Sequence, residues 1–196
     1  MQTLRSYYRP LCSVQLPYQG RQKYMCTFDL SNPKMPEGYE DYLSSVVSLC
    51  STAGATTGLA HMTVDEKEIL PGMSQRRPGP HVDGCFIPSQ GRWGHDGPGG
   101  GWNHYCNHIS GEAIARMPII VASSVIGCKV WSGEFKAEPE NNGDLSHISD
   151  QLGEGEIVSA NIGYLLSADC IHESMVMTEI TKRSFLRIAL PVEFMA

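Results

Sequence analysis

The sequence predicts a mostly β chain: an antiparallel sandwich or barrel, such as a jelly roll, with one helix packed outside it. Three observations carry this. Short segments rich in Val, Ile, Leu and Ser follow one another between turn signals over the C-terminal two thirds. One segment shows helical periodicity. Gly and Pro together make 32 of the 196 residues (20 and 12), a turn-rich composition.

The elements follow in order. Residues 1–23 show no period and are expected to run irregularly across the outside. Residues 24–30 predict a strand, broken by Ser31, Asn32 and Pro33. Over 37–50 the apolar positions are Tyr39, Tyr42, Leu43, Val46, Val47 and Cys50, the spacing of an amphipathic helix with Gly54 as its stop. Strands are expected over 59–64, 66–70, 118–122, 125–131, 156–166, 170–176 and 184–191. Gly127, Gly133, Asn141-Asn142-Gly143, Gly153 and Gly155 punctuate them. The chain reads as one domain over 1–196, with an N-terminal flank (1–57) and a β core (58–191).

Charge and cysteine usage narrow the function. A formal charge of −6 argues against a surface that grips nucleic acid throughout. The seven cysteines are scattered, with no Cys-x-x-Cys, which points to reduced thiols. The first 25 residues carry Arg5, Tyr7, Tyr8, Arg9 and Arg21 with no unbroken apolar stretch. A cytoplasmic chain without signal peptide or membrane span is therefore expected.

Two short stretches belong together: Pro80-His81-Val82-Asp83-Gly84 and Cys170-Ile171-His172-Glu173. In a strand, residues i and i+2 share a face, so His81 and Asp83 can hold one metal. A barrel can bring the strand of His172 beside them. Two imidazoles and one carboxylate suit Fe(II) and leave three positions open on one face. Downstream, Arg183 and Arg187 share one face of the last strand. Either guanidinium can neutralise the far carboxylate of a metal-chelating 2-oxo acid. Ser184, Leu186, Ile188 and Leu190 form the more apolar face, so an inward arginine requires a polar pocket.

This constellation resembles the Fe(II)/2-oxoglutarate-dependent dioxygenases with a double-stranded β-helix (jelly-roll) core. The resemblance covers roughly 58–191 by element order, and it identifies no subfamily. It implies His81, Asp83 and His172 as iron ligands, and O2 and 2-oxoglutarate as co-reactants. Arg187 would anchor the 2-oxoglutarate, with Arg183 as second choice or as a substrate contact. The expected outcome is hydroxylation of an unactivated C–H bond with conversion of 2-oxoglutarate to succinate.

Between Asp83 and the next strand lies the Gly- and aromatic-rich loop 85–108, which reads as a lid. Trp93, Trp102 and Tyr105 are its candidate substrate walls. Arg76 and Arg77, just ahead of the first ligand, are candidate contacts for an anionic substrate group, or else solvated turn charges. A small molecule or a protein side chain is the favoured substrate class, with a nucleobase still possible. The oligomeric state is open. Four readings compete: His-x-Asp as a surface turn, structural zinc on Cys85, His95, His104, Cys106 and His108, Cys–His hydrolase chemistry, and a non-catalytic jelly-roll or cupin-like metal-binding module.

Overall fold

A computed structural model describes residues 2–83, 86–87, 92–93, 117–140, 143–191 and 194. The strands are β1 (Gln2–Ser6), β2 (Tyr8–Ser13), β3 (Gln22–Asp29), β4 (Leu59–Ile69), β5 (Phe86–Ile87), β6 (Arg92–Trp93), β7 (Ile119–Ser123), β8 (Cys128–Trp131), β9 (Gly133–Ala137), β10 (Glu156–Ile157), β11 (Ile162–Leu166), β12 (Ile171–Ser174) and β13 (Thr181–Ala189). Helix α1 (Leu43–Ala53) follows a 3-10 turn at Glu40–Tyr42, and a short helix spans Ser149–Leu152. The structure is mostly β, with antiparallel sheets and few helices.

Two sheets matter for the site. The larger has the order β2-β11-β7-β13-β4-β3, the smaller β10-β8-β12. His81 extends the smaller sheet by a bridge to His172 on β12. From β4 onward the chain crosses repeatedly between the two. Ile119, Val121, Phe185 and Ala189 of the larger sheet cluster with Cys128 and Val130 of the smaller. The space between the sheets is therefore an apolar core, and the site opens within it.

The outer face of the larger sheet is covered by α1. Val46, Leu49 and Cys50 pack on Met62, Val64, Leu186, Ile188 and Leu190. Each fully buried side chain of this size stabilises the fold by about 1.5–3 kcal/mol. The helix sits so close that a Cβ at Gly163 of β11 would lie 1.9 Å from Leu49 Cδ2. Glu66, fully buried on this face, fastens the N-terminal flank. Its carboxylate accepts bonds from Arg21 Nη2 (2.9 Å), Tyr42 Oη (2.8 Å) and the Arg21 backbone N–H (3.0 Å). Burial raises the Glu66 pKa, but these donors outweigh it and hold the carboxyl below its ordinary range.

Several expectations need correction. Residues 1–23 are not irregular throughout, since β1 pairs with β9 and β2 with β11. Their partners are more than a hundred residues away, so no local pattern marks them. The predicted pair of strands over 59–64 and 66–70 is one strand, β4, paired along its length with β13. The α-helix proper starts at Leu43, later than expected, and its buried stripe is rotated toward Ser45, Leu49 and Ala53. Leu43 and Val47, placed in the stripe by periodicity, are 37% and 42% exposed. Gly54 does end the helix, with φ 91°. The segment 156–166 splits into β10 and β11 around Asn161, whose φ is 58°. Strand β9 has no apolar alternation and was not expected.

Both faces of β13 are buried, as befits the centre of the larger sheet between β7 and β4. Leu186, Ile188 and Leu190 face the helix, while Phe185 and Ala189 join the core between the sheets. Arg183 and Arg187 share that inner face by parity. The apolar set is thus a core face, but so is the set that carries the arginines.

Candidate metal centre

Backbone pairing assembles the centre. The His81 N–H donates to His172 O (3.0 Å) and the His172 N–H to His81 O (2.9 Å). The two histidines are thus directly opposed across antiparallel strands and point to the same side. On its other edge the ligand segment is held by Val82 N–H to Gly143 O (3.0 Å) and Leu145 N–H to Pro80 O (2.9 Å). Asp83, two residues on from His81, returns to the same face. Ligand atoms of His81, Asp83 and His172 all lie within 4.8 Å of one another. His172 Nε2 is 3.9 Å from Asp83 Oδ1, and the imidazole centroids are 4.5 Å apart. A surface turn at His-x-Asp does not describe these residues.

The hydrogen bonds behind the cluster fix its chemistry. His81 Nδ1 lies 2.8 Å from Gly79 O, and His172 Nδ1 lies 2.9 Å from Cys170 O. A carbonyl only accepts, so each Nδ1 carries the hydrogen and each Nε2 keeps its lone pair for a metal. Burial, with the charges of His172 and Arg77, pushes the His81 pKa well below its ordinary value. Burial also lowers His172, against the opposing charge of Asp83. Both rings are neutral at neutral pH, as ligation requires. Burial raises the Asp83 pKa, but the charge of Arg187 and the bond from its guanidinium outweigh it and hold the carboxyl well below its ordinary range.

The donor set fits a divalent ion that accepts imidazole and carboxylate. Ligands at about 2.1 Å in cis positions stand near 3 Å apart, so the observed spacing needs only small side-chain adjustments. The cluster can hold a metal ion.

The two arginines part ways. Arg187 Nε donates to Asp83 Oδ2 at 2.8 Å, and its Nη1 lies 3.6 Å from Met25 Sδ. It supports a ligand and leaves Oδ1 for the metal. Arg183 lies elsewhere on the wall of the same cavity of about 160 Å³, and is 1% exposed. Its Nε donates to Ser123 Oγ (2.8 Å), and its Nη1 is 3.4 Å from Ser174 Oγ. Among the described residues no carboxylate lies within ion-pair distance of it. Burial pushes its pKa down to about 10, so it stays charged at neutral pH. A Cβ at Gly127 would fall 2.8 Å from Arg183 Cζ, so the guanidinium occupies the place of that side chain.

Arg76 and Arg77 also line the cavity, with Ile119, Val121, Cys128 and Phe185. Arg77 Nη2 reaches Val82 O at 3.5 Å. Trp93 lies in β6, paired with Phe86 of β5, and its side chain is outside the description. Trp102, Tyr105, most of the loop 85–108 and the proposed zinc set lie outside the described residues. Cys12, Cys26, Cys50, Cys128 and Cys170 are free thiols. Cys170 is a core residue, its thiol pushed up to about 12 by burial, and its carbonyl orients His172. Sequence reasoning missed Ser123, Ser174, Gly127 and Phe185. Serines at strand ends are common turn residues, and nothing in the sequence ties these two to Arg183.

Searches of family models and of curated proteins with the chain returned no match.

Proposed function

We propose that the chain is an Fe(II)- and 2-oxoglutarate-dependent dioxygenase, most simply a hydroxylase, on a double-stranded β-helix. One observation carries the reading: a His-Asp-His cluster and a buried arginine with no acidic partner among the described residues share one cavity. A metal-binding module has no need of the arginine, whose burial is costly unless an anion completes it. Strand order supports the fold assignment. Strand β4, the ligand segment 81–83, and strands β7, β8, β10, β11, β12 and β13 divide between two facing sheets as β11-β7-β13-β4 and β10-β8-β12-(81–83). That alternation supports the reading, because a jelly roll would interleave its eight strands in this way.

Bound iron would supply oxygen activation coupled to oxidative decarboxylation of 2-oxoglutarate. The protein's own part follows from its geometry. His81, His172 and Asp83 would hold the ion through Nε2, Nε2 and Oδ1. Gly79 O, Cys170 O and Arg187 fix the orientation of those three groups. Arg183, supported by Ser123 and Ser174, would receive the far carboxylate of the cosubstrate, and not Arg187 as the resemblance implies. Arg187 is engaged with Asp83. Ile119, Val121 and Phe185 keep water from the space between.

The test is turnover. Anaerobically prepared Fe(II) protein, given 2-oxoglutarate and then air, should release succinate, and a chelator should stop it. Succinate release that survives iron removal, or that is absent at every iron and 2-oxoglutarate concentration, rejects the reading.

A further inference from the structure

Arg183 does not stand alone in the cavity. The Arg76 backbone N–H donates to Ser174 Oγ at 3.3 Å, and the same oxygen is 3.4 Å from Arg183 Nη1. The Phe185 ring lies 5.8 Å from Arg76 Cζ and 5.5 Å from Arg183 Cζ. Tyr24 flanks Arg76 on a further side, 5.9 Å away. The two guanidinium groups thus meet at one ring, and the Ser174 hydroxyl ties the Arg76 backbone to the Arg183 guanidinium.

Asp65 explains how two like charges are tolerated there. It is fully buried on β4, and its Oδ2 is 3.6 Å from Arg76 Nη1. Its Oδ1 accepts from Gln22 Nε2 at 2.9 Å. Lys67, 3.9 Å from Oδ2, is more exposed and also donates to Gln75 O at 2.6 Å. Arg76 and Arg183 thus face one buried carboxylate, Asp65, which Lys67 also approaches, so this stretch of the cavity wall stays net positive and suits a bound carboxylate.

We propose that Arg76 is a second anion-binding arm of the cosubstrate pocket, restrained by Asp65, so that the far carboxylate of the 2-oxo acid is held by Arg76 and Arg183 together. The proposal rests on the 2-oxoglutarate reading above. It assigns Arg76 to the cosubstrate, and leaves Arg77 as the arginine nearer the ligand segment.

The test compares 2-oxoglutarate with 2-oxobutyrate, which chelates through the same 2-oxo acid but lacks the far carboxylate. Both are titrated calorimetrically into anaerobic Fe(II)-loaded wild type, Arg76→Gln and Arg76→Lys. Wild type should prefer 2-oxoglutarate, and Arg76→Gln should cut that preference at least tenfold with 2-oxobutyrate binding unchanged. Arg76→Lys, which keeps the charge beside Asp65, should recover part of it. If Arg76→Gln leaves Asp65 unpaired and fails to fold, the double variant Asp65→Asn/Arg76→Gln removes the ion pair as a unit and should still lose the preference. Wild-type preference with an unchanged ratio in these variants overturns the second arm alone. Equal weakening of both acids makes Arg76 merely structural and also overturns it. Wild type that holds the two acids equally overturns the cosubstrate reading and the clamp with it.

Discussion

Replacing Arg183 by Met should strengthen the metal-free fold while removing cosubstrate binding. Met preserves most of the buried stem and takes away the charge. The pKa of Arg183 is drawn from 12.5 down to about 10, chiefly by burial. At ~1.4 kcal/mol per pKa unit, that is a penalty of roughly 3 kcal/mol on the charged form. The variant loses hydrogen bonds to Ser123 and Ser174, together about 2 kcal/mol. Ser123 Oγ keeps its bond to Val125 O at 2.7 Å, so its hydroxyl is not left bare. The net expectation is a gain of about 1 kcal/mol, or ~2–4 °C in Tm for a chain of this size. Loss of a buried Arg–carboxylate contact should at the same time weaken 2-oxoglutarate binding at least about 30-fold, at the low end of ~2–5 kcal/mol. Thermal unfolding of metal-free protein and calorimetry of Fe(II) protein read the two effects. A destabilised variant that still binds 2-oxoglutarate normally would refute the assignment of Arg183 as an anion site.

Three other expectations can be measured on purified protein. His172→Ala should abolish Fe(II) binding with little change in far-UV circular dichroism, because the backbone pair to His81 does not need the imidazole. Glu66→Gln should cost about 1.5–3 kcal/mol at pH 7, the worth of hydrogen bonds to a charged group, because Arg21 keeps its contacts to Asp41. The Glu66 pKa is lowered by folding, so its contribution is complete above ~4.3, the unfolded value, and is lost as pH falls through the folded value. Urea titrations should therefore show wild type and Glu66→Gln converging in acid, whereas a gap independent of pH contradicts the ion-pair account. Gly163→Ala should cost about 1–3 kcal/mol by driving a methyl into Leu49, and Leu49→Ala should partly relieve it.

The ligands were legible because the pleat puts i and i+2 on one face, which makes His81-x-Asp83 a local signal. Their union with His172 was legible only by resemblance, since the bridging hydrogen bonds join residues 91 positions apart in the chain. The arginine pair was visible and its division of labour was not. Parity put Arg183 and Arg187 on one face, but only register shows Arg187 opposite Val121 and Thr63, within reach of Asp83, while Arg183 sits opposite Lys67. Strands β1 and β9 escaped notice because each is a short edge element whose partner is remote. The rotation of α1 has a related cause. Periodicity finds a helix, but the choice between Val47 and Leu49 as core depends on where β11 offers Gly163.

The central claim is that three side chains bind one ion and that a 2-oxo acid completes the site. Equilibrium dialysis of anaerobic protein against Fe(II), with and without 2-oxoglutarate, tests it most directly. The account predicts one iron per chain, bound more tightly when 2-oxoglutarate is present, and none in His81→Ala. Iron retained by His81→Ala at wild-type affinity, or indifferent to 2-oxoglutarate, would contradict it.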